Sequence, residues 1–336
     1  MREILSKNSN NNPIIIMIPV FNDWQSLEML LICLDQVLDA QKVETEILVV
    51  DDGSNISIPN NCILPELKNI RQVNMLKLRR NIGHQRAIAI GLAYIEENIP
   101  CQAVVVMDGD GEDEPSDVVR LIEECAKEEY KKVVFAKRTK RSESWLFKIF
   151  YFFYKSLYKS LIGQEISVGN FSIIPYKILR RLVAVSELWN HYAAAVLKAR
   201  VPYIQIPSKR GRRLAGQSKM NFVSLVIHGL SAISVYGDIV GVRLLVATCF
   251  LIVFTLIGIV VILSIRLATN LAIPGWASSM VSVLFVIFIQ AIMVSMFFIF
   301  TILNGRNYSS FIPQRDYHHF VLEFQKFLPN DSIAKE

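Results

Sequence analysis

The 336-residue chain has few of the features that mark secreted, zinc-binding or disordered proteins. Its five cysteines, at 33, 62, 101, 125 and 249, are odd in number and scattered, and no CxxC pair occurs. That excludes a disulfide framework and a zinc cluster, and it fits a reducing compartment. No apolar core of signal-peptide length follows the opening MREILSKNSNNNP, so residues 1–12 read as a disordered polar tail. A GxxxxGK(S/T) phosphate loop is absent, as is any internal repeat. One sign of charge is nearly missing from one region. Residues 137–219 hold 17 Lys/Arg against three Glu and no Asp, whereas residues 1–136 hold 22 acids and 13 bases. Such a basic block suits phosphate, nucleic acid or an anionic bilayer, and no DNA- or RNA-binding motif supports nucleic acid.

What is present begins with two long apolar runs. Leu244–Ile265 and Trp276–Leu303 carry no charge, and about 20 apolar residues span a bilayer. Arg266, Pro274 and Gly275 fall between them, so they read as a hairpin with spans near 244–265 and 280–303. The positive-inside rule puts residues 1–243 and 304–336, hence both termini, in the cytosol. Residues 14–135 alternate short apolar runs with helical patterns. Strands are expected at Ile14–Val20, Glu46–Asp51, Asn74–Leu78, Ala103–Met107 and Val133–Ala136, and helices at Trp24–Leu38, His84–Glu97 and Pro115–Glu129. This rhythm implies an α/β, mostly parallel, doubly wound sheet, whose ligands bind beyond the carboxyl ends of the strands. Trp145–Ile162, with Lys148, Lys155 and Lys159 among aromatics, suits either an interfacial helix or a core helix with exposed lysines. Asn221–Tyr236 is a second amphipathic stretch leading into the first span.

Three segments carry chemistry. Asp108-Gly109-Asp110 follows an apolar strand, and carboxylates at i and i+2 of a turn can share one hard cation such as Mg²⁺ or Mn²⁺. Taken singly, it is also the pattern of a solvated acidic turn. Val49-Val50-Asp51-Asp52-Gly53-Ser54 places paired carboxylates at a strand end, where they can accept from base or ribose donors. Arg80-Asn81-Ile82-Gly83-His84-Gln85-Arg86 runs into a helix whose N-terminus favours phosphate, and Arg86 adds charge.

Taken in order with Ile18-Pro19-Val20-Phe21-Asn22-Asp23, the series resembles the inverting family-two glycosyltransferases of the GT-A fold. IPVFND is similar to that family's VPVYNE opening, VVDDGS matches fully, RNIGHQRAIAIG is similar to RNxGxxxAxxxG, and MDGDGEDEP to MDaDLQxxPE. Arg210-x-x-Arg213-x-x-Gly216-x-Ser218-Lys219-Met220 is similar to RxxRxxGxSKY/M, which in the polyprenyl-phosphate branch precedes amphipathic helices and a transmembrane pair. The resemblance covers about residues 13–305. It implies that Pro19, Phe21, Asp23, Asp51 and Asp52 hold the nucleoside, that Arg86 lies near the nucleotide phosphates, and that Asp108 and Asp110 hold Mg²⁺ or Mn²⁺ on the diphosphate. Asp108 thereby also belongs to the nucleotide site. Arg138 and Arg141 fall where the family often has a GxR near the acceptor, and Arg210, Arg213 and Lys219 would grip phosphate. Asp110, Arg138, Arg210 and Arg213 are the expected catalytic set. Asn170 stands where the branch often reads G-D-F, beside the acceptor phosphate, and cannot be a base.

The expected organisation is a polar tail (1–12), a nucleotide-sugar domain (13–142), an acceptor and membrane-interface region (143–240), the hairpin (241–305) and a cytosolic tail (306–336). The expected activity is metal-dependent transfer of a sugar from a nucleotide sugar to a polyprenyl phosphate on the cytosolic face, with the bilayer as a partner. Self-association stays open. A hydroxyl acceptor is the alternative and would need a base, for which Asp113, Glu187 and His191 are the candidates. A nucleotide-sugar-binding pseudoenzyme is a further alternative. A processive polysaccharide synthase is disfavoured, because QxxRW is absent and one hairpin cannot enclose a sugar-chain pore.

Overall fold

The computed structural model describes residues 12–38, 44–57, 67–138, 156, 158–163, 168–216, 222–269, 275–307 and 311–328. Arg141, Lys148, Lys155 and Lys219 lie outside the described residues, as does most of the 1–12 tail.

Eight strands form one sheet: β1 (Ile14–Val20), β2 (Thr45–Asp51), β3 (Ile70–Leu78), β4 (Ala103–Val106), β5 (Val133–Arg138), β6 (Ser172–Pro175), β7 (Tyr203–Ser208) and β8 (Val321–Leu328). Their spatial order is β7-β5-β6-β4-β1-β2-β3-β8. β1 pairs in parallel with β2 and β4, and β2 with β3. β6 and β8 run antiparallel to their neighbours. Every residue of β1 (IIIMIPV) is buried, as expected of a central parallel strand covered on both faces.

Alternate side chains point to opposite faces, and each face has its own core. Ile14, Ile16, Ile18 and Val20 pack with helices α1 (Trp24–Leu38) and α3 (Pro115–Lys127). Ile15 and Met17 pack on the other face with α2 (His84–Asn98), α4 (Tyr176–Leu182) and α5 (Tyr192–Lys198). Leu27, Leu30, Leu31, Leu34 and Leu38 make one helical stripe on α1, all buried. Each such leucine contributes about 1.5–3 kcal/mol of burial. Because β4, β1 and β2 are neighbours, the loops leaving their carboxyl ends lie side by side. The backbone fixes this, with Asp52 N–H donating to Val20 O and Met107 N–H to Met17 O.

The C-terminal segment departs from the expected tail. Val321–Leu328 returns to the sheet and covers the free edge of β3. The alternation in VLEFQKFL suits that edge, and Phe324 stacks on Tyr94 at 5.4 Å.

Beyond α6 (Phe222–Ser234), the 32-residue helices α7 (Gly237–Ala268) and α8 (Trp276–Asn307) belong to a second compact unit. They pair antiparallel. Thr248 lies opposite Ser295, whose hydroxyl donates to it at 2.8 Å, and a Cβ on Gly258 would lie 3.1 Å from Leu284. Close approach through small residues is the packing mode of helices in lipid. Both are long and apolar enough to cross a membrane by length and composition, with hydropathy 3.0 and 2.8. Only 6% and 11% of their most apolar stretches are buried within the chain. The described residues of the Trp145–Ile162 stretch, 156 and 158–162, group with this unit rather than with residues 168–235. There Arg243 Nη1 donates to Ser160 O at 2.8 Å. The expected 143–240 region is therefore divided between the two units.

Candidate active site

The β1 and β2 loops are stapled together by Asn22. It adopts φ 52°, a left-handed conformation that asparagine tolerates. Its N–H donates to Ser54 Oγ at 2.9 Å, and its Oδ1 accepts from the Asn55 and Ile56 amides, each at 3.0 Å. Asp51 Oδ1 accepts from Ser54 N–H at 2.9 Å. Asp52 is buried, and its two oxygens accept from the amides of Ile82 (2.8 Å) and Gly83 (2.9 Å). The second Asp of DDGS thus orders the start of α2, where no side-chain cap is present. Phe21 is exposed at the rim, next to Pro19 at the end of β1.

The β4 loop gathers the acids. Asp113 is buried; its Oδ2 accepts from Asp108 N–H and its Oδ1 from Arg138 Nη2, both at 3.0 Å. Burial pushes its carboxyl above the usual range, with the Asp108 charge adding to the effect and Arg138 opposing it. Asp110 Oδ1 accepts from Glu112 N–H at 2.9 Å, and its Oδ2 accepts from Arg213 at 2.9 Å. Arg213 also pairs with Asp23. Arg210 forks onto Glu112 through Nε at 3.0 Å and Nη2 at 2.7 Å. Arg138 Nη1 lies 3.7 Å from Glu112. Three arginines, Arg138, Arg210 and Arg213, therefore meet the acidic loop.

A second network reaches Asp108 from α2. Tyr192 N–H donates to Gln85 Oε1 at 2.7 Å, which turns the Gln85 amide nitrogen toward Asn170 Oδ1 at 3.2 Å. That in turn aims Asn170 Nδ2 at His84 Nε2, 3.2 Å away. His84 Nε2 lies 3.1 Å from Asp108 Oδ1, which is buried and makes no hydrogen bond of ordinary geometry. Burial opposes charge on His84, but the carboxylates of Asp108, Asp113 and Asp110 outweigh it and raise its pKa.

A family described as Glycosyl transferase family 2 matches residues 15–189, more than half of the chain. The chain belongs to glycosyl transferase family 2. Among curated relatives of this glycosyltransferase, the uncharacterized glycosyltransferase sll0501 of Synechocystis is 29% identical over 82% of the chain and 86% of its own length. The uncharacterized glycosyltransferase YkcC of Bacillus subtilis is 28% identical over 79% and 81%. Among solved structures, glucosyl-3-phosphoglycerate synthase from Mycobacterium tuberculosis shares the fold. Its complex with Mn²⁺, UDP-glucose and phosphoglyceric acid superposes with TM-score 0.51 at 13% identity, covering 72% of the chain and 84% of that chain. Its complex with Mg²⁺ and UDP gives TM-score 0.50.

The glycosyltransferase carries other expected site residues at some remove from the acidic loop. Arg86 sits over the Trp189 ring, 5.0 Å from its centroid. Glu187 pairs with Lys198 at 2.9 Å; burial raises its pKa, but the Lys198 contact outweighs it and holds the carboxyl low. His191 caps α5 through Nδ1, and its Nε2 meets His228 Nε2 at 3.2 Å. Burial, then the His228 charge, bring its pKa down to about 3. Gln85, Glu112 and His228 were not singled out by the sequence reading. The GHQ run held the signal for Gln85, but its partners Asn170 and Tyr192 lie far off in sequence.

The acidic loop fits a divalent cation as a partial site. Asp108 Oδ1 is a buried acceptor with an unmet hydrogen bond. Burial, then the Asp108 and Glu112 charges, raise the Asp110 carboxyl. A nearby dication relieves each of these costs. Among the described residues no three His, Cys, Asp or Glu side chains converge as a complete metal site. Two carboxylates that leave the other positions to substrate oxygens and water are the usual magnesium arrangement.

Proposed function

We propose that this glycosyltransferase moves a sugar, with inversion, from a nucleotide sugar to a polyprenyl phosphate at the cytosolic face of a membrane that α7 and α8 span. The observation that carries this reading is the pairing of three arginines with the acidic loop, together with the engagement of each of the three candidate bases. Asp113 is buried between Arg138 and a backbone amide, Glu187 is paired with Lys198, and His191 is spent as a cap. A hydroxyl acceptor requires a base, whereas a phosphate acceptor arrives ionised and requires cations. The apolar pair α7–α8 supports a lipid as the bearer of that phosphate.

In this reading, one lipid phosphate oxygen attacks the anomeric carbon as the bond to the nucleoside diphosphate breaks, and no proton need be removed. Asp108 and Asp110 would hold Mg²⁺ or Mn²⁺, which when bound offsets charge building on the leaving diphosphate. Asp23, Asp51 and the Asn22 staple shape the nucleoside end, and Phe21 lies at its rim. Arg138 and Arg210 orient the acceptor phosphate, with arginine's planar fork suited to that geometry. Arg141, Lys219 and Asn170 would complete the acceptor end.

The test offers purified protein a panel of nucleotide sugars with undecaprenyl or dolichyl phosphate and Mn²⁺ or Mg²⁺, read by mass spectrometry. A glycosylated lipid phosphate that disappears with EDTA, and falls about 10²-fold or more in Asp110→Asn, is expected. Nucleotide-sugar turnover onto a saccharide in place of lipid would move the acceptor to a hydroxyl. Binding without turnover under all conditions would favour the pseudoenzyme.

A further inference from the structure

Arg213 joins two carboxylates from different strand ends. Its Nη1 donates to Asp110 Oδ2 at 2.9 Å, and its Nη2 pairs with Asp23 Oδ2. Its side chain is only 17% exposed. The backbone around it is laced to the same loops. Gly211 N–H donates to Glu112 O at 2.9 Å and Leu214 N–H to Asp110 O at 3.0 Å. The Ser26 hydroxyl bridges Asp23 Oδ1 (2.7 Å) and Ala215 O (3.2 Å). Leu214 packs where Gly111, at φ 82°, has no side chain; a Cβ there would lie 2.4 Å from Leu214 Cγ. Arg213 therefore neutralises in place the two carboxylates of the donor end that stand farthest apart in sequence.

We propose that Arg213 is the resident cation of the empty donor site, holding Asp23 and Asp110 until a metal–nucleotide displaces it and frees the 210–216 segment. The inference rests on Asp110 as a cation-binding carboxylate, as argued above. A guanidinium and a dication cannot share Asp110 Oδ2 without strong like-charge repulsion, so one excludes the other. Displacement breaks the Arg213–Asp110 contact and loosens the Leu214–Asp110 backbone bond beside it. Arg210 and Arg213 are then presented to a second anion only after the first has bound. The site thus favours donor before acceptor, and the arginine prevents an uncompensated acidic cluster in the empty enzyme.

The test uses the full chain in detergent and two readouts that do not depend on turnover. The first is Mn²⁺ affinity from free-Mn²⁺ electron paramagnetic resonance, without nucleotide and then with UDP, GDP, CDP, ADP and dTDP in turn. Arg213→Gln is expected to bind Mn²⁺ alone about tenfold more tightly than wild type, a usual size for coupling between competing ligands. Arg213→Lys, which keeps a charge, should stay near wild type, and so should Arg210→Gln, which leaves Arg213 in place. The second readout is amide hydrogen exchange on the wild type, which needs no variant. Gly211 and Leu214 should exchange faster once Mn²⁺ and a nucleotide are bound. Equal Mn²⁺ affinity in Arg213→Gln and wild type would overturn the inference. So would unchanged or stronger protection of Gly211 and Leu214, and either result leaves the donor site itself standing. Failure of Mn²⁺ to bind under any of these conditions would overturn the donor-site reading and this inference together.

Discussion

At the scale of single residues, the DDGS turn shows where spacing stops being informative. Asp51 and Asp52 look equivalent in sequence, and the family resemblance assigns both to the nucleoside. In the fold, Asp52 holds two amides some thirty residues further on, and nothing near it in sequence announces Ile82 and Gly83 as partners. Asp52→Ala should leave both amides unpaired, that of Ile82 buried and that of Gly83 half-buried. A loss of about 2–4 kcal/mol in unfolding free energy is expected, whereas Asp52→Asn, which keeps one acceptor, should lose about half as much. Chemical denaturation of the variants checks this. The neighbouring glycines separate two causes of glycine use. A Cβ on Gly53 (φ 67°) would lie 2.4 Å from the Arg80 backbone carbon, while Gly83 (φ 94°) has open space around it. Gly83→Ala should cost about 1–2 kcal/mol from backbone strain alone. Gly53→Ala must also displace backbone and should fold poorly, if at all, by thermal unfolding and size-exclusion profile. The acidic DxD turn was legible because both of its acids are local. The Arg213 contact was not, because Asp23, Asp110 and Arg213 are brought together only by the sheet.

At the scale of elements, legibility followed burial and direction. The parallel strands β1, β2, β4 and β5 carry short apolar runs between helical patterns, and their expected limits match within two residues. The remaining strands, antiparallel β6 and β8 and parallel β7, were missed for physical reasons. β6 is four residues long and ends in proline, β7 has proline inside it, and β8 follows two long apolar helices whose composition dominates that end of the chain. β3 is also longer than its apolar pattern, because Arg71 and Gln72 extend it at the polar end. β8 is the element most open to test. Phe324 stacks on Tyr94, while Glu323 makes only an exposed ion pair with Lys77 at 3.0 Å. Phe324→Ala should lower stability by about 1–2 kcal/mol, since an aromatic pair and part of its apolar area are lost. Glu323→Gln should stay within about 0.5 kcal/mol. Reversed magnitudes in thermal unfolding would mean that the strand is held by charge rather than by packing.

At the scale of the whole molecule, connectivity constrains topology more tightly than hydropathy does. The chain leaves the catalytic unit at Val235 and re-enters it by residue 311, where Val321–Leu328 joins the same sheet as Ile14–Val20. A sheet cannot be assembled from segments on opposite sides of a bilayer. If α7 spans, α8 must span back, and an odd number of crossings is excluded. Hydropathy identifies two helices long and apolar enough to span; β8 requires that any crossings be even in number. The direction then rests on charge: the connection between the helices carries Arg266 alone, while the basic block lies on the catalytic side. A green fluorescent protein fused after Leu328 should therefore fluoresce in cells, because it folds in the cytosol. The same reporter fused after Thr269, with α8 removed, should be exported through the bacterial Sec route and stay dark. Two bright fusions would show that α7 does not cross, which would make the pair a surface-lying hairpin. A dark fusion after Leu328 with a bright one after Thr269 would invert the orientation and put the donor site on the side away from cytosolic nucleotide sugars. That result would weigh against the proposed reaction more heavily than any single-residue variant, because it would separate the enzyme from the nucleotide sugar that the proposed reaction requires.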